Sequence, residues 1–135
     1  MVANTEPEET ATFCKGLVEL GCMVTVMAAG GTSSGWPDRL VIHHAWAGFI
    51  EFKGPRTRLR KNQELTMREA MRRGFPCVVV RFCRKTVDGV AYKWGQIEIE
   101  AATGPNLAST GREVVDFDGT PGSCLMLLRE RFKKS

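Results

Sequence analysis

The sequence predicts an α/β fold, a mixed central sheet flanked by helices, and three observations carry that expectation. Apolar runs of strand length, bounded by Gly, Pro or polar residues, fall at 23–28, 39–43, 49–53 and 77–82. Two longer stretches, 7–20 and 61–73, instead space their apolar residues three and four apart, as a helix lying on a sheet does. The resulting order, helix, three-strand meander, helix, strand, is that of a layered core rather than a bundle or a sandwich.

Helix 7–20 takes Thr5 as its cap and Glu6, Glu8 and Glu9 in its first turn, where acids suit the helix dipole. Phe13, Leu17 and Leu20 form its apolar stripe, and Gly21 ends it. The small residues 29–35 after the first strand lack the Lys and Ser/Thr of a phosphate-binding P-loop. They either admit a phosphate backbone close to the neighbouring strands or serve as a plain connector.

Strand 39–43 returns to the next through the short Ala45-Trp46-Ala47-Gly48 connection. His43 and His44, as adjacent strand residues, point to opposite faces and do not share an ion. Trp46 is either a surface anchor or a lid on the hairpin core. Helix 61–73 carries Gln63, Met67, Ala70 and Met71 on one stripe and stops at Gly74. Arg60, where a capping Ser or Thr would help, leaves its start without a side-chain cap, at a cost of about 1 kcal/mol. Strand 77–82 is strongly β-branched and reads as central. Beyond Arg84, segments 87–92 and 95–100 suggest a hairpin, 113–117 a short strand, and 121–132 a helix. The face Leu125, Leu128 and Phe132 of that helix either packs on its own domain or serves a second copy.

The 135 residues suffice for one domain with a core that needs no disulfides. Five cysteines without a CxxC pair fit neither a secreted disulfide framework nor a zinc module, and they read as small buried hydrophobes in a reducing cytoplasm. No apolar run approaches membrane-spanning length, and the acidic N-terminal segment is unlike a signal peptide. Net charge is +4, but residues 53–85 hold eleven Lys or Arg against two acids, so that stretch alone carries +9. Glu64 with Arg68 and Glu69 with Arg73 are ordinary helix pairs. The surplus that remains, led by Arg56, Arg58, Arg60 and Lys61, points to a nucleic-acid backbone.

The chemistry concentrates just before that patch. Glu51 and Lys53 project from one face of a strand while Ile50 and Phe52 take the other. Ionisable groups beside a core are costly unless they serve a purpose. Asp38 opens the preceding strand, so the hairpin brings it to the end where Glu51 and Lys53 lie. Two carboxylates, with the Phe52 backbone carbonyl between Glu51 and Lys53, suit Mg²⁺, or Mn²⁺ in its place. Such an ion acidifies water, and Lys53 can stabilise charge developing on phosphorus. The chemistry this implies is metal-assisted phosphodiester hydrolysis.

Gly35-Trp36-Pro37-Asp38, Glu51-Phe52-Lys53-Gly54, Gln63, Gly74 and the strand Val78-Val79-Val80-Arg81 together resemble the virus-type replication-repair nuclease domain (VRR-NUC), a branch of the PD-(D/E)xK nuclease superfamily. The resemblance covers about the first two thirds of the chain, residues 5–84, with 85–135 as a C-terminal extension. It implies a restriction-endonuclease-like core with Asp38 and Glu51 as metal ligands, Lys53 as the catalytic lysine and Gln63 as a supporting group. It also implies an early helix acid facing the site, for which Glu9, in line with Phe13, is the candidate. The implied activity is a Mg²⁺-dependent endonuclease acting on branched DNA such as Holliday junctions or flaps, in phage-type replication, recombination or repair. A homodimer would supply two symmetric cuts. The rivals are a sequence-specific restriction-type endonuclease and a non-catalytic DNA-binding protein on the same fold.

Overall fold

The computed structural model describes residues 6–27, 36–101 and 111–132. Thr5 and the segment 29–35, both singled out above, lie outside the described residues, as do the basic residues Lys133 and Lys134 that follow the last helix. The elements are α1 (Glu6–Glu19), β1 (Met23–Val26), β2 (Arg39–Ile42), β3 (Ala47–Lys53), α2 (Lys61–Arg72), β4 (Cys77–Val87), β5 (Val90–Ala101), β6 (Gly111–Phe117) and α3 (Pro121–Arg131).

The strands form one six-stranded mixed sheet in sequential order, with helices on both faces, so the class is α/β. Every neighbouring pair is antiparallel except β3 and β4. Parallel neighbours need a crossover, and α2 is that crossover. Alternation along the strands sorts the core into two layers. Ile50, Phe52, Val78, Val80, Phe82 and Ile97 face α1 and α3, meeting Phe13, Leu17, Leu125 and Leu128. Phe49, Cys77 and Val79 face α2 and meet Met67, Ala70 and Met71. Phe13 makes edge contacts with Phe52 at 5.7 Å and Phe82 at 5.5 Å between centroids. Such pairs add about 0.5–1.5 kcal/mol each beyond their buried area.

The segment beyond Arg84, expected as strands and a terminal helix, joins the core sheet: β5 pairs with β4 from Val78 to Val87, and β6 continues the same sheet. Its hairpin turns at Asp88-Gly89, not near Lys93, because both residues take positive φ (51° and 78°), as a two-residue primed turn requires. Of the two uses open to the α3 face, packing on its own domain is the one observed, with Leu125 and Leu128 buried in the α1 layer and Phe132 against it. Close approach of α3 to α1 depends on Gly16, where a Cβ would lie 2.6 Å from Pro121 Cγ.

β2 ends at Ile42, so His43 and His44 lie in the turn with their rings 4.1 Å apart rather than on opposite strand faces. His43 Nδ1 accepts from Ala45 N–H at 3.0 Å, which leaves Nε2 to donate to the Leu20 carbonyl at 3.1 Å. Trp46 is the lid: it is buried in the α1 layer, 6.1 Å from the Phe132 ring. All five cysteines are free, and burial pushes the Cys124 thiol far up. Among the described residues no helix is long and apolar enough to cross a membrane.

Candidate active site

The β2–β3 register, Arg39 opposite Ile50, sets Asp38 across from Glu51. Buried Pro37 precedes Asp38 and restricts the backbone φ at the entry to β2. The two acids then lock reciprocally. The Asp38 N–H donates to Glu51 Oε1 at 2.9 Å, and the Phe52 N–H donates to Asp38 Oδ2 at 2.9 Å. An extended residue directs its N–H and C=O to the same edge, so the Phe52 carbonyl also faces the Asp38 side.

Glu51 itself is only 2% exposed. Its second oxygen, Oε2, accepts from Gln63 Nε2 at 2.9 Å and lies 3.2 Å from Lys53 Nζ. Gln63 belongs to the first turn of α2, and its Oε1 accepts the Arg60 N–H at 3.0 Å. One amide thus closes the helix start and holds Glu51. The missing cap at Arg60 is replaced from within the helix, by the reach-back half of a capping box.

The electrostatics are those of a crowded acid pair. Burial raises the Glu51 pKa first and the neighbouring Asp38 charge raises it further, while Lys53 and the Asp38 N–H pull it down. Two carboxylates against one ammonium leave the cluster short of positive charge. The donor set, two carboxylates and a carbonyl edge, consists of hard oxygens and fits Mg²⁺, which is commonly held by one or two carboxylates and keeps its remaining waters. Among the described residues no group of three or more His, Cys, Asp or Glu side chains is placed to hold one ion.

Glu9 is not brought to this cluster. Its carboxylate pairs with Arg84 at 2.5 Å on the α1 side of the sheet, whereas Glu51 and Lys53 lie on the α2 side. The physical reason is alternation: Arg84 follows Val80 and Phe82 onto the α1 face, where the helix lies. The expected metal-ligand role of Glu9 therefore finds no support in its position.

Arg81 was missed as a site residue. The parallel register sets it beside Lys53, and it is buried. Its Nη1 donates to the carbonyls of Gly54 and Thr57, both at 2.6 Å, while Nε lies 3.1 Å from Glu98 Oε2. It therefore ties down the loop that leaves Lys53. The signal was a cation closing an apolar β-branched run, Val78-Val79-Val80-Arg81. Arg56, Arg58, Arg60 and Lys61 lie on that loop and the first turn of α2, and all four are exposed.

Comparison of the chain with protein-family models and with curated proteins returns no match. The reading of the site rests on its residues.

Proposed function

We propose that this protein is a Mg²⁺-dependent DNA endonuclease of restriction-endonuclease-like fold, similar to the virus-type replication-repair nucleases, with branched DNA as its substrate class. The observation that carries the reading is the hydrogen-bonded cluster of Asp38, Glu51, Lys53 and Gln63 at one strand end, beside an exposed run of arginines. Both carboxylates accept hairpin N–H groups, but a buried Glu with a raised pKa beside a second acid is more characteristic of a working site than of a scaffold.

Asp38, Glu51 and the Phe52 carbonyl are the groups that would hold the ion, with Mn²⁺ able to replace Mg²⁺. Once bound, the ion supplies positive charge to the scissile phosphate and acidifies nearby water. Gln63 fixes the rotamer of Glu51 without adding charge. Lys53, half-buried on the same face, offers an ammonium to the charge that develops on phosphorus. Water adds to phosphorus, one ester oxygen leaves, and the proton released by the water is returned to that oxygen through solvent. Arg56, Arg58, Arg60 and Lys61 hold flanking phosphates.

The test is incubation with Mg²⁺ and end-labelled linear, nicked, flap and four-way DNA. Cleavage is expected on branched substrates, and EDTA should stop it. Asp38→Asn, Glu51→Gln and Lys53→Ala should each lower the rate by roughly a hundredfold or more. Undiminished cutting in EDTA, or a wild-type rate in any of these variants, would remove the corresponding assignment.

A further inference from the structure

β4 pairs with β3 only as far as Arg81, and β5 pairs with β6 only from Gly95 onward. Between those limits the strands Phe82–Val87 and Val90–Trp94 pair only with each other, as a two-stranded ribbon whose base is held to α1 through Phe82 and the Arg84–Glu9 pair. Such a ribbon is marginal in water by itself. This one also keeps Val87, Val90 and Tyr92 at 39, 52 and 51% exposure. Exposed apolar side chains gathered on a projecting element mark a contact surface.

The face on which they gather is informative. Alternation carries Arg81 to Lys85 and Val87 on one side, and their cross-strand partners Tyr92 and Val90 stand with them. Lys53 is the neighbour of Arg81, so this is the face that bears Glu51 and Lys53. A hollow of about 620 Å³ lined by Lys85, Val87, Tyr92, Trp94, Asp116 and Phe117 runs along it. Of the ribbon's charged residues Lys85 stands on this face and Lys93, opposite Arg84, on the other, with Asp88 at the tip; Glu98 is paired with Arg81, and Asp116, an acid of the hollow, accepts from Gln96 at 3.0 Å. At the same end of the sheet stands the loop with Arg56, Arg58 and Arg60, held by Arg81. The surface therefore has Lys85 and the arginine loop at its rim and aromatic and aliphatic side chains within, and it is continuous with the candidate site.

We propose that this ribbon is a second DNA-contacting arm, which seats the duplex flanking the scissile phosphate; the proposal rests on the nuclease reading above. A two-stranded ribbon fits the major groove. A rise of about 3.3 Å per strand residue sets Lys85 about 13 Å beyond Arg81. At about 3.4 Å per base pair that spans about four pairs beyond the position of Arg81, the neighbour of Lys53. Lys85 meets a phosphate there, and Tyr92 and the valines lie against the groove.

The experiment compares wild type, K85A/Y92A and R56A/R58A/R60A for cleavage in Mg²⁺ and for anisotropy-measured binding in EDTA. Neutral methylphosphonate linkages are placed at successive distances from the cut. K85A/Y92A should weaken binding by about tenfold and raise KM with little change in kcat. Methylphosphonates about four to six pairs from the cut should weaken wild type and R56A/R58A/R60A but add no further loss in K85A/Y92A. Wild-type affinity and KM in K85A/Y92A, or an undiminished methylphosphonate effect there, would overturn the arm alone. So would a change from dimer to monomer by light scattering at unchanged affinity per chain, since the ribbon would then be a surface between copies. A wild-type protein that neither binds nor cuts DNA would overturn the nuclease reading itself, and the arm with it.

Discussion

Glu51 is surrounded by donors, the Asp38 N–H, the Gln63 amide and the Lys53 ammonium, yet its pKa is raised above the ordinary 4.5. Burial and the Asp38 charge outweigh the donors. Because the folded state holds this proton more tightly than the unfolded chain, the Glu51 contribution is most favourable below pH 4.5 and is lost as pH rises through the raised value. Asp38→Asn removes the repulsion while its amide oxygen can still accept the Phe52 N–H. The variant should gain about 1 kcal/mol at neutral pH, or about 3 °C in Tm, and the gain should vanish at pH 4. Mg²⁺ should reverse the ranking by stabilising wild type alone. Thermal denaturation at both pH values, with and without Mg²⁺, checks this; a lower Tm for Asp38→Asn in EDTA at neutral pH would contradict it.

Between residue and fold stands the loop from Lys53 to α2, and Arg81 is its anchor. Two carbonyls and one carboxylate converge on this guanidinium, a geometry that an ammonium does not reproduce. Arg81→Met strands Glu98 and should cost about 2–3 kcal/mol, below the roughly 3–5 of a fully buried pair because Glu98 keeps some solvent contact. Adding Glu98→Leu should restore most of that stability while leaving the loop untied. Urea denaturation should thus rank the double variant above Arg81→Met, whereas cleavage should stay depressed in both, with KM raised because the arginines are no longer held. Recovery of activity along with stability would reduce Arg81 to a purely structural pair.

At the scale of the molecule, the last third of the chain completes the core. β5 covers β4 along its length, and Phe117, Leu125 and Leu128 close the layer that holds Phe13 and Leu17. A chain ending at Arg84 would leave β4 with an unpaired edge and the α1 layer open to water. It should lack a cooperative unfolding transition, as circular dichroism would record. Native-like melting of that fragment would restore 85–135 to the status of an extension. Any dimer must use a surface other than the buried side of α3.

Much of the candidate site was legible because its geometry is local. Strand alternation alone sets Glu51 and Lys53 on one face, a short hairpin returns Asp38 to Glu51, and helical spacing aims Gln63 at the sheet. The Asp88-Gly89 turn was equally local and could have been read from its residue types. What only the tertiary structure decided depends on partners remote in sequence. Glu9 meets Arg84, 75 residues away, because of which sheet face α1 covers. Arg81 reaches Gly54 and Thr57 because a crossover helix sets the β3–β4 register. The apolar face of α3 reads alike whether it meets its own core or a second chain. Periodicity states that a face must leave water; it does not state against what, and that choice is made by packing the whole chain at once.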